Sequence, residues 1–283
     1  MTKKFIYTLI IILTINTFFS PTIHGFSTYS NKPNSNYIVL DSQSRGILPN
    51  KFRIDDSLNI SGSSQFTPEE LPNIKNKINH PSISIIDLRQ ESHGFINDIA
   101  ISFYSPSLNL NNGLTTSKIL SEQTKLLAGI PLNRRITIYH KTLRPALNPV
   151  AASIYNEGEL CRKNNFIYVR LPVDCSGIPS PETVDQFVAM MKYKVHDSHL
   201  HFHCDSGEAR TTTFMTMYQI FRQGGETSLT QIINSQISLG GSNILDSSHR
   251  ADFINEFYNY INSNKSSNYR VPYSVWITQS KLR

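Results

Sequence analysis

Cys204 and Arg210 stand six positions apart in the run His203-Cys204-Asp205-Ser206-Gly207-Glu208-Ala209-Arg210-Thr211. That pair of residue types is what an attack on a phosphate ester needs. A cysteine thiolate is a nucleophile toward phosphorus, and a guanidinium presents a planar fork that grips two phosphoryl oxygens at once. The sulfur reacts only as its anion, so its surroundings must favour negative charge. Thr211 brings a hydroxyl near the sulfur, and His203 precedes it in the chain. The plain alternative is a buried structural cysteine beside a surface arginine, and the flanking pattern argues against it.

Such a loop has to be held by regular elements on both sides. Upstream, His199-Leu200-His201-Phe202-His203 alternates polar and apolar residues, the period of a strand. Downstream, Phe214, Met217, Tyr218 and Phe221 fall at i, i+3, i+4 and i+7, one apolar helical face, and Gly224-Gly225 supplies the stop. A strand, a tight loop and a helix in that order aim backbone N–H groups and a helix N-terminus at one point, which is an anion site. Asp205, Ser206, Gly207, Glu208 and Ala209 are the residues whose backbone would cradle the anion.

A departing alkoxide also needs a proton. Asp174 opens the loop that leaves the strand pattern Phe166–Val173, ahead of Ser180-Pro181-Glu182. That triplet reads as a helix N-cap, a first-turn proline and an acid suited to the helix dipole. Val184, Phe187, Val188 and Met191 give this helix its apolar face. Taken alone, Asp174 reads as a solvated loop aspartate.

His-Cys-x5-Arg-Thr resembles the signature of the cysteine-dependent protein tyrosine phosphatases. Leu200-His201-Phe202-His203-Cys204 with Arg210-Thr211-Thr212-Thr213-Phe214-Met215 is similar to the tyrosine-phosphatase-like inositol phosphatases, the cysteine phytases. So is Asp87-Leu88-Arg89-Gln90-Glu91-Ser92-His93-Gly94-Phe95. Leu239-Gly240-Gly241 and Leu48-Pro49-Asn50-Lys51-Phe52-Arg53 look like further features of the group, so the resemblance spans roughly Leu48 to Tyr260. It implies a phosphoric monoester hydrolase with Cys204 as nucleophile, Arg210 as transition-state clamp and Asp174 as general acid. Thr211 would assist the departing thiolate and His203 would hold the loop. Arg89 and His93 would shape a phosphate-rich pocket, and Gln236 would position the hydrolytic water. No metal or organic cofactor is implied.

Two residues depart from the family pattern. Ala209 stands where glycine is usual, a strain only if the backbone there has positive φ. Glu208 would repel phosphate and oppose the thiolate if it faced the pocket. These two are the only grounds for a third reading, a pseudophosphatase that binds phosphorylated ligands without turnover. The other two are an inositol polyphosphate phosphatase and a secreted protein tyrosine or dual-specificity phosphatase. His199, His201 and His203 share a strand face that could ligate a metal, but no second cluster with ligand spacing accompanies them, so metal binding is not expected. Arg134-Arg135 and His140-Lys141 read as a solvated basic face.

The 283 residues suffice for one sizeable domain. Strand patterns at Ile83–Leu88, Arg135–Tyr139, Ile167–Val173 and Leu200–His203 alternate with helical ones near Ser117–Leu127, Asn148–Leu160, Pro181–Tyr193 and Thr211–Phe221. This alternation predicts an α/β fold with a central, mainly parallel sheet flanked by helices, and the resemblance makes it tyrosine-phosphatase-like. Asp252–Tyr260 adds a late helix, and the Ser/Asn-rich Asn262–Asn268 reads as a loop. At the start, Lys3-Lys4 and the apolar run Phe5–Phe19 predict a secretory signal peptide over 1–25, hence a secreted or periplasmic protein with no stable membrane association after cleavage. Residues 26–44 read as a flexible mature N-terminus and 45–283 as the catalytic domain. The formal charge of +6 falls to +4 without Lys3 and Lys4, an excess that suits an anionic substrate and is no nucleic-acid signature. In an oxidising compartment Cys175 could pair with Cys161 or, reversibly, with Cys204, while three free thiols would exclude both.

Overall fold

Two sheets organise the chain in a computed structural model that describes residues 36–43, 46–106, 110–193 and 197–282. The central sheet has the order β10 (Ile167–Val173), β4 (Ile83–Arg89), β11 (His199–His203), β3 (Ile60–Ser63) and β2 (Arg53–Asp55). The first four strands are parallel and β2 runs against β3. Every residue of β4 and β11 is buried, as parallel strands covered on both faces must be. Because β11 lies between β4 and β3, the loop after His203 opens at the middle of the sheet's carboxyl edge.

Helices cover both faces. α4 (Pro181–Tyr193), α5 (Ala209–Gln223), α6 (Leu229–Ser238), α7 (Ser248–Asn264) and α8 (Tyr273–Ser280) enclose one core with Phe187, Phe202, Phe214 and Phe257 at its centre. On the other side α1 (Leu71–Ile78) and α3 (Glu157–Lys163) pack Leu71, Ile74 and Cys161 against Phe66, Ile85 and Phe166. Where α5 crosses β3, a Cβ on Gly62 would come within 2.6 Å of Met215 Sδ and Thr211 Cγ2, so only glycine lets the loop-bearing helix sit this close.

The second sheet has the order β8 (Pro145–Leu147), β7 (Ile138–Tyr139), β1 (Tyr37–Gln43), β6 (Ile99–Tyr104), β5 (His93–Ile96) and β9 (Ile154–Tyr155). It is antiparallel except between β1 and β7. With α2 (Thr116–Ala128) it buries Ile101, Phe103, Leu127 and Ile138.

Several sequence expectations change. The segment 26–44 is not flexible throughout, since 37–43 form β1 in the interior of the second sheet. Residues 148–153 are not helical; the capping box of Asn156 with Glu159 starts α3 only at Glu157. The Arg135–Tyr139 pattern shrinks to the two residues of β7. The expected loop at Asn262–Asn268 begins only after α7 ends at Asn264, and α8 follows it. The signal peptide expected over 1–25 lies outside the described residues. Among the described residues, no helix is long and apolar enough to cross a membrane.

Candidate active site

The run Cys204–Arg210 joins β11 to the first turn of α5. Its outer carbonyls are tied down: Gln65 N–H donates to Asp205 O at 3.0 Å and Arg53 Nη1 donates to Gly207 O at 2.9 Å. In a trans peptide the next N–H points the opposite way. The N–H groups of Ser206 and Glu208 therefore face away from Gln65 and Arg53, as an anion cradle requires. Arg53 is buried, and its Nη2 donates to Thr212 Oγ1 at 3.1 Å, clasping the loop to α5 from behind. Gly207 has φ +74°, and a Cβ there would meet Ser64 N at 2.3 Å.

Cys204 is buried, and the nearer of two acceptors for the Thr211 hydroxyl is Cys204 Sγ, at 3.2 Å. Arg210 is buried too, and its fork is set: Nη1 and Nη2 donate to Glu91 Oε2 and Oε1 at 2.8 and 2.9 Å, and Nη1 also donates to Val173 O at 3.1 Å. That last bond ties the arginine to the residue before Asp174. Asp174 Oδ1 accepts from Ser176 N–H and Oγ, while Arg250 Nη2 donates to Gly177 O, so the acid loop is pinned on both sides.

A cleft of about 650 Å³ opens over these elements. Its lining includes the charged residues Asp174, Asp205, Arg89, Glu91 and Lys141 and the apolar residues Val39, Phe103, Pro106 and Leu110. Arg89 Nη1 donates to Asp41 Oδ2 at 2.9 Å and to Gln65 Oε1 at 2.8 Å, and its Nε donates to Glu91 Oε1 at 3.1 Å. Burial would lower the Arg89 pKa, but Asp41 and Glu91 more than reverse that. Burial would likewise raise Glu91, yet Arg210 and then Arg89 hold it well below the usual carboxylate range. Lys141 pairs with Asp205, and Arg89 and then Lys141 lower the Asp205 carboxyl against the pull of burial.

Of the residues read from sequence, Asp174, Asp205 and Arg89 meet at the cleft, and Cys204, Thr211 and Arg210 lie in the adjoining loop and helix start. Ser206 is exposed in that loop. Glu208 faces outward to Lys51 at 3.5 Å, with about half its side chain in water, so it does not oppose phosphate from within. Ala209 opens α5 and is not among the positive-φ residues, so it needs no glycine. The grounds for a pseudophosphatase fall with these two placements.

His93 does not line the cleft. It is buried below it, with Nδ1 2.9 Å from Glu91 O and Nε2 3.3 Å from Asp87 Oδ2 and Glu157 Oε2. His203 is also buried, 2.7 Å from Glu157 Oε1. Gln236 is buried with its Nε2 on Gln219 Oε1, packed where α6 meets α5 rather than lining the cleft. His199 and His201 are held by the hydroxyls of Ser61 and Ser63. None of the three cysteines is paired in this fold; Cys161 is buried in the α1–α3 core, Cys175 is exposed at the cleft and Cys204 is buried in the loop.

Sequence reasoning missed Glu91, Lys141, Asp41, Arg53 and Glu157 as site-forming groups. Glu91 had a signal, since Asp87, Arg89, Glu91 and His93 place an ionisable residue at every second position. Lys141 is not part of a merely solvated face, because its partner Asp205 draws it to the cleft. Asp41 and Glu157 come from distant elements and carried no local signal.

A family model described as PTP-like phytase, inositol hexakisphosphate, matches residues 134–222, which contain Asp174 and the whole Cys204–Arg210 loop. The fold is similar to the tandemly repeated PTP-like phytase of Mitsuokella multacida, with TM-score 0.78 and 26% identity over 89% of this chain and 50% of that one. It is similar to a PTP-like phytase of Bdellovibrio bacteriovorus, with TM-score 0.74 and 28% identity over 89% of this chain and 99% of that one. Effector protein hopD2 of Pseudomonas syringae pv. tomato is 24% identical over 220 residues, 70% of this chain and 47% of that protein. The chain thus spans about half the length of the Mitsuokella and Pseudomonas proteins.

Proposed function

We propose that the chain, which matches the PTP-like phytase model over residues 134–222 and is similar in fold to PTP-like phytases, is a cysteine-dependent phosphatase that hydrolyses phosphate monoesters of inositol polyphosphates through a phosphocysteine. The observation that carries this reading is the pair of contacts that arm the loop: Thr211 Oγ1 on Cys204 Sγ, and the Arg210 fork held in plane by Glu91. In the first step Cys204 Sγ forms a bond to phosphorus as the ester P–O bond breaks, and Asp174 gives its proton to the leaving oxygen. In the second, water attacks phosphorus, Asp174 takes its proton, and the S–P bond breaks to return the thiolate. The loop N–H groups and Arg210 hold the charge on the non-bridging oxygens through both steps. The family model over residues 134–222, described by inositol hexakisphosphate, supports this substrate class.

A second reading has its own observation. The two cations that line the cleft, Arg89 and Lys141, already face carboxylates, and Val39, Phe103, Pro106 and Leu110 add apolar surface to its lining. That balance favours a substrate with few phosphates and an apolar flank, as in a phosphotyrosine-bearing protein. Phosphate release from inositol hexakisphosphate and from phosphotyrosine peptides, by reduced wild type and Cys204→Ser side by side, separates the two. Turnover that survives Cys204→Ser sinks both. The Lys3-Lys4 start and the apolar run 5–19 support export, which fractionation of expressing cells and sequencing of the mature N-terminus test.

A further inference from the structure

Beneath the loop lies a connected set of buried ionisable groups that the two chemical steps do not touch. Asp87, His93, Glu157 and His203 are each at most 1% exposed, and they come from β4, β5, the first turn of α3 and β11. Glu157 Oε1 sits 2.7 Å from His203 Nε2, and Glu157 Oε2 accepts from Gln65 Nε2 at 3.0 Å and lies 3.3 Å from His93 Nε2. The other His93 nitrogen, Nδ1, is 2.9 Å from Glu91 O. Arg170 Nη2 lies 3.4 Å from the same Nδ1. Nε2 faces the carboxylates of Asp87 and Glu157, each at 3.3 Å. Burial disfavours a charged His93, but Asp87 outweighs it and raises the His93 pKa despite Arg89 and Arg170 nearby. Burial would raise Glu157 as well, and His203 together with the His93 contact holds it down to about 2.

Asp87, His93 and Glu157 are close enough together to suggest a metal site. The carboxylates already have partners, however: Asp87 Oδ2 accepts from Tyr168 Oη at 2.6 Å and faces Arg170 Nε at 3.3 Å, and both Glu157 oxygens are engaged. Arg170 already brings a positive charge to this cluster.

We infer that His93 and Glu157 are positioning residues that hold the two ends of the catalytic loop to one another. Glu157 fixes His203, which is peptide-bonded to Cys204. His93, with Arg170 Nη2 at 2.7 Å, fixes the carbonyl of Glu91, whose carboxylate aims Arg210. The contact between Glu157 and His93 joins these two supports, so nucleophile and clamp keep their spacing without touching. The inference rests on the phosphatase reading of the loop.

The test compares His93→Gln, Glu157→Gln and the double variant with Cys161→Ala, a change in the same core cluster that leaves the network alone. Turnover of p-nitrophenyl phosphate, melting temperature and the rate of Cys204 alkylation by iodoacetate are measured for each. Each single network variant is expected to lose about 10- to 100-fold in kcat, as a displacement near 1 Å does. KM should stay within about threefold, and the double should lose no more than about threefold beyond the worse single, because the pair acts as a unit. Cys161→Ala should keep kcat within about twofold whatever its melting temperature. The inference is overturned if kcat simply tracks melting temperature across the four, if the single losses multiply, or if KM moves in place of kcat. If Glu157→Gln does not fold, Glu157→Asp, which keeps the charge on a shorter arm, gives the same reading. If wild type turns over no ester, the phosphatase reading has failed instead. Alkylation then decides alone: rates for His93→Gln and Glu157→Gln unchanged from wild type would reject the positioning role, and slower ones would uphold it.

Discussion

Replacing Glu91 with glutamine isolates the strongest electrostatic claim made of the cleft. Glu91 carries two buried guanidiniums: Arg210 in a two-pronged contact at 2.8 and 2.9 Å, and Arg89 at 3.1 Å. Glutamine keeps one oxygen and turns an NH2 group toward donors that need acceptors. Removing one partner of a buried pair costs about 3–5 kcal/mol. Here Glu91 is 26% exposed and Arg89 retains Asp41, so the lower figure of about 2–3 kcal/mol applies. For a domain of this size that is a fall in Tm of roughly 4–12 °C. The sign with pH is fixed by the depressed Glu91 carboxyl: the pair's contribution is complete above its ordinary pKa of 4.5 and is lost only as pH falls through the lower folded value. The Tm gap between wild type and Glu91→Gln should therefore be constant from pH 5 to 8 and close in stronger acid. Inorganic phosphate offers the orphaned Arg210 a new dianionic partner, so it should raise the Tm of Glu91→Gln more than that of wild type. Differential scanning fluorimetry with and without phosphate reads both effects. A Tm within 1 °C of wild type, or an equal phosphate shift in the two proteins, would refute the view that Glu91 neutralises and aims Arg210.

Further outcomes follow from other contacts. Asp174→Asn should lower kcat by about 10²–10⁴ on an alkyl phosphate, and less on p-nitrophenyl phosphate, whose leaving group needs little protonation; equal losses on both would remove Asp174 from the acid role. Asp205→Asn leaves Lys141 unpaired at the cleft and should tighten KM for inositol hexakisphosphate about fivefold, the worth of one close charge in water, with little change for a singly charged ester. Gly207→Ala puts a methyl group into Ser64 N at positive φ, so phosphate should cease to protect Cys204 from alkylation even if the chain stays folded by circular dichroism. For His93→Gln, the loss in Tm should be full below pH 6.5 and shrink as pH rises through the raised folded pKa of the wild-type imidazole; a gap that widens in alkali would show that His93 is buried neutral.

The parts of this molecule that local sequence could specify were those with a strong period or a local cap. β11, α5 and β10 are long enough to carry one, and Ser180-Pro181 marks the start of α4, where Thr183 N–H indeed donates to Ser180 Oγ. The second sheet escaped because its strands run to as few as two residues in β7 and β9 and are specified by partners far off in the chain. Residues 148–153 looked helical from apolar content alone, whereas Ala151 N–H is committed to Arg134 O across the chain. At the site, the placing of Cys204, Arg210 and Asp174 close to one cleft was legible because the motif around each is local. His93 was read as a rim residue from its place in the Asp87–Phe95 motif, but that motif continues into a strand that turns it inward. Glu208 could not be oriented from sequence, since its direction depends on Lys51.

Strand β1 has a practical consequence for anyone trimming the chain. Asp41, the fully buried counter-charge of Arg89, and Val39, part of the cleft wall, both come from it. A protein cut to begin at residue 45 would contain the entire Cys204 loop and Asp174, yet would leave an arginine short of its neutralising carboxylate and open one flank of the cleft. The smallest autonomous piece is therefore defined by an electrostatic closure made before residue 44 rather than by the span of the catalytic motifs. Any natural processing of the N-terminus has to stop short of Tyr37 for the enzyme to keep its pocket.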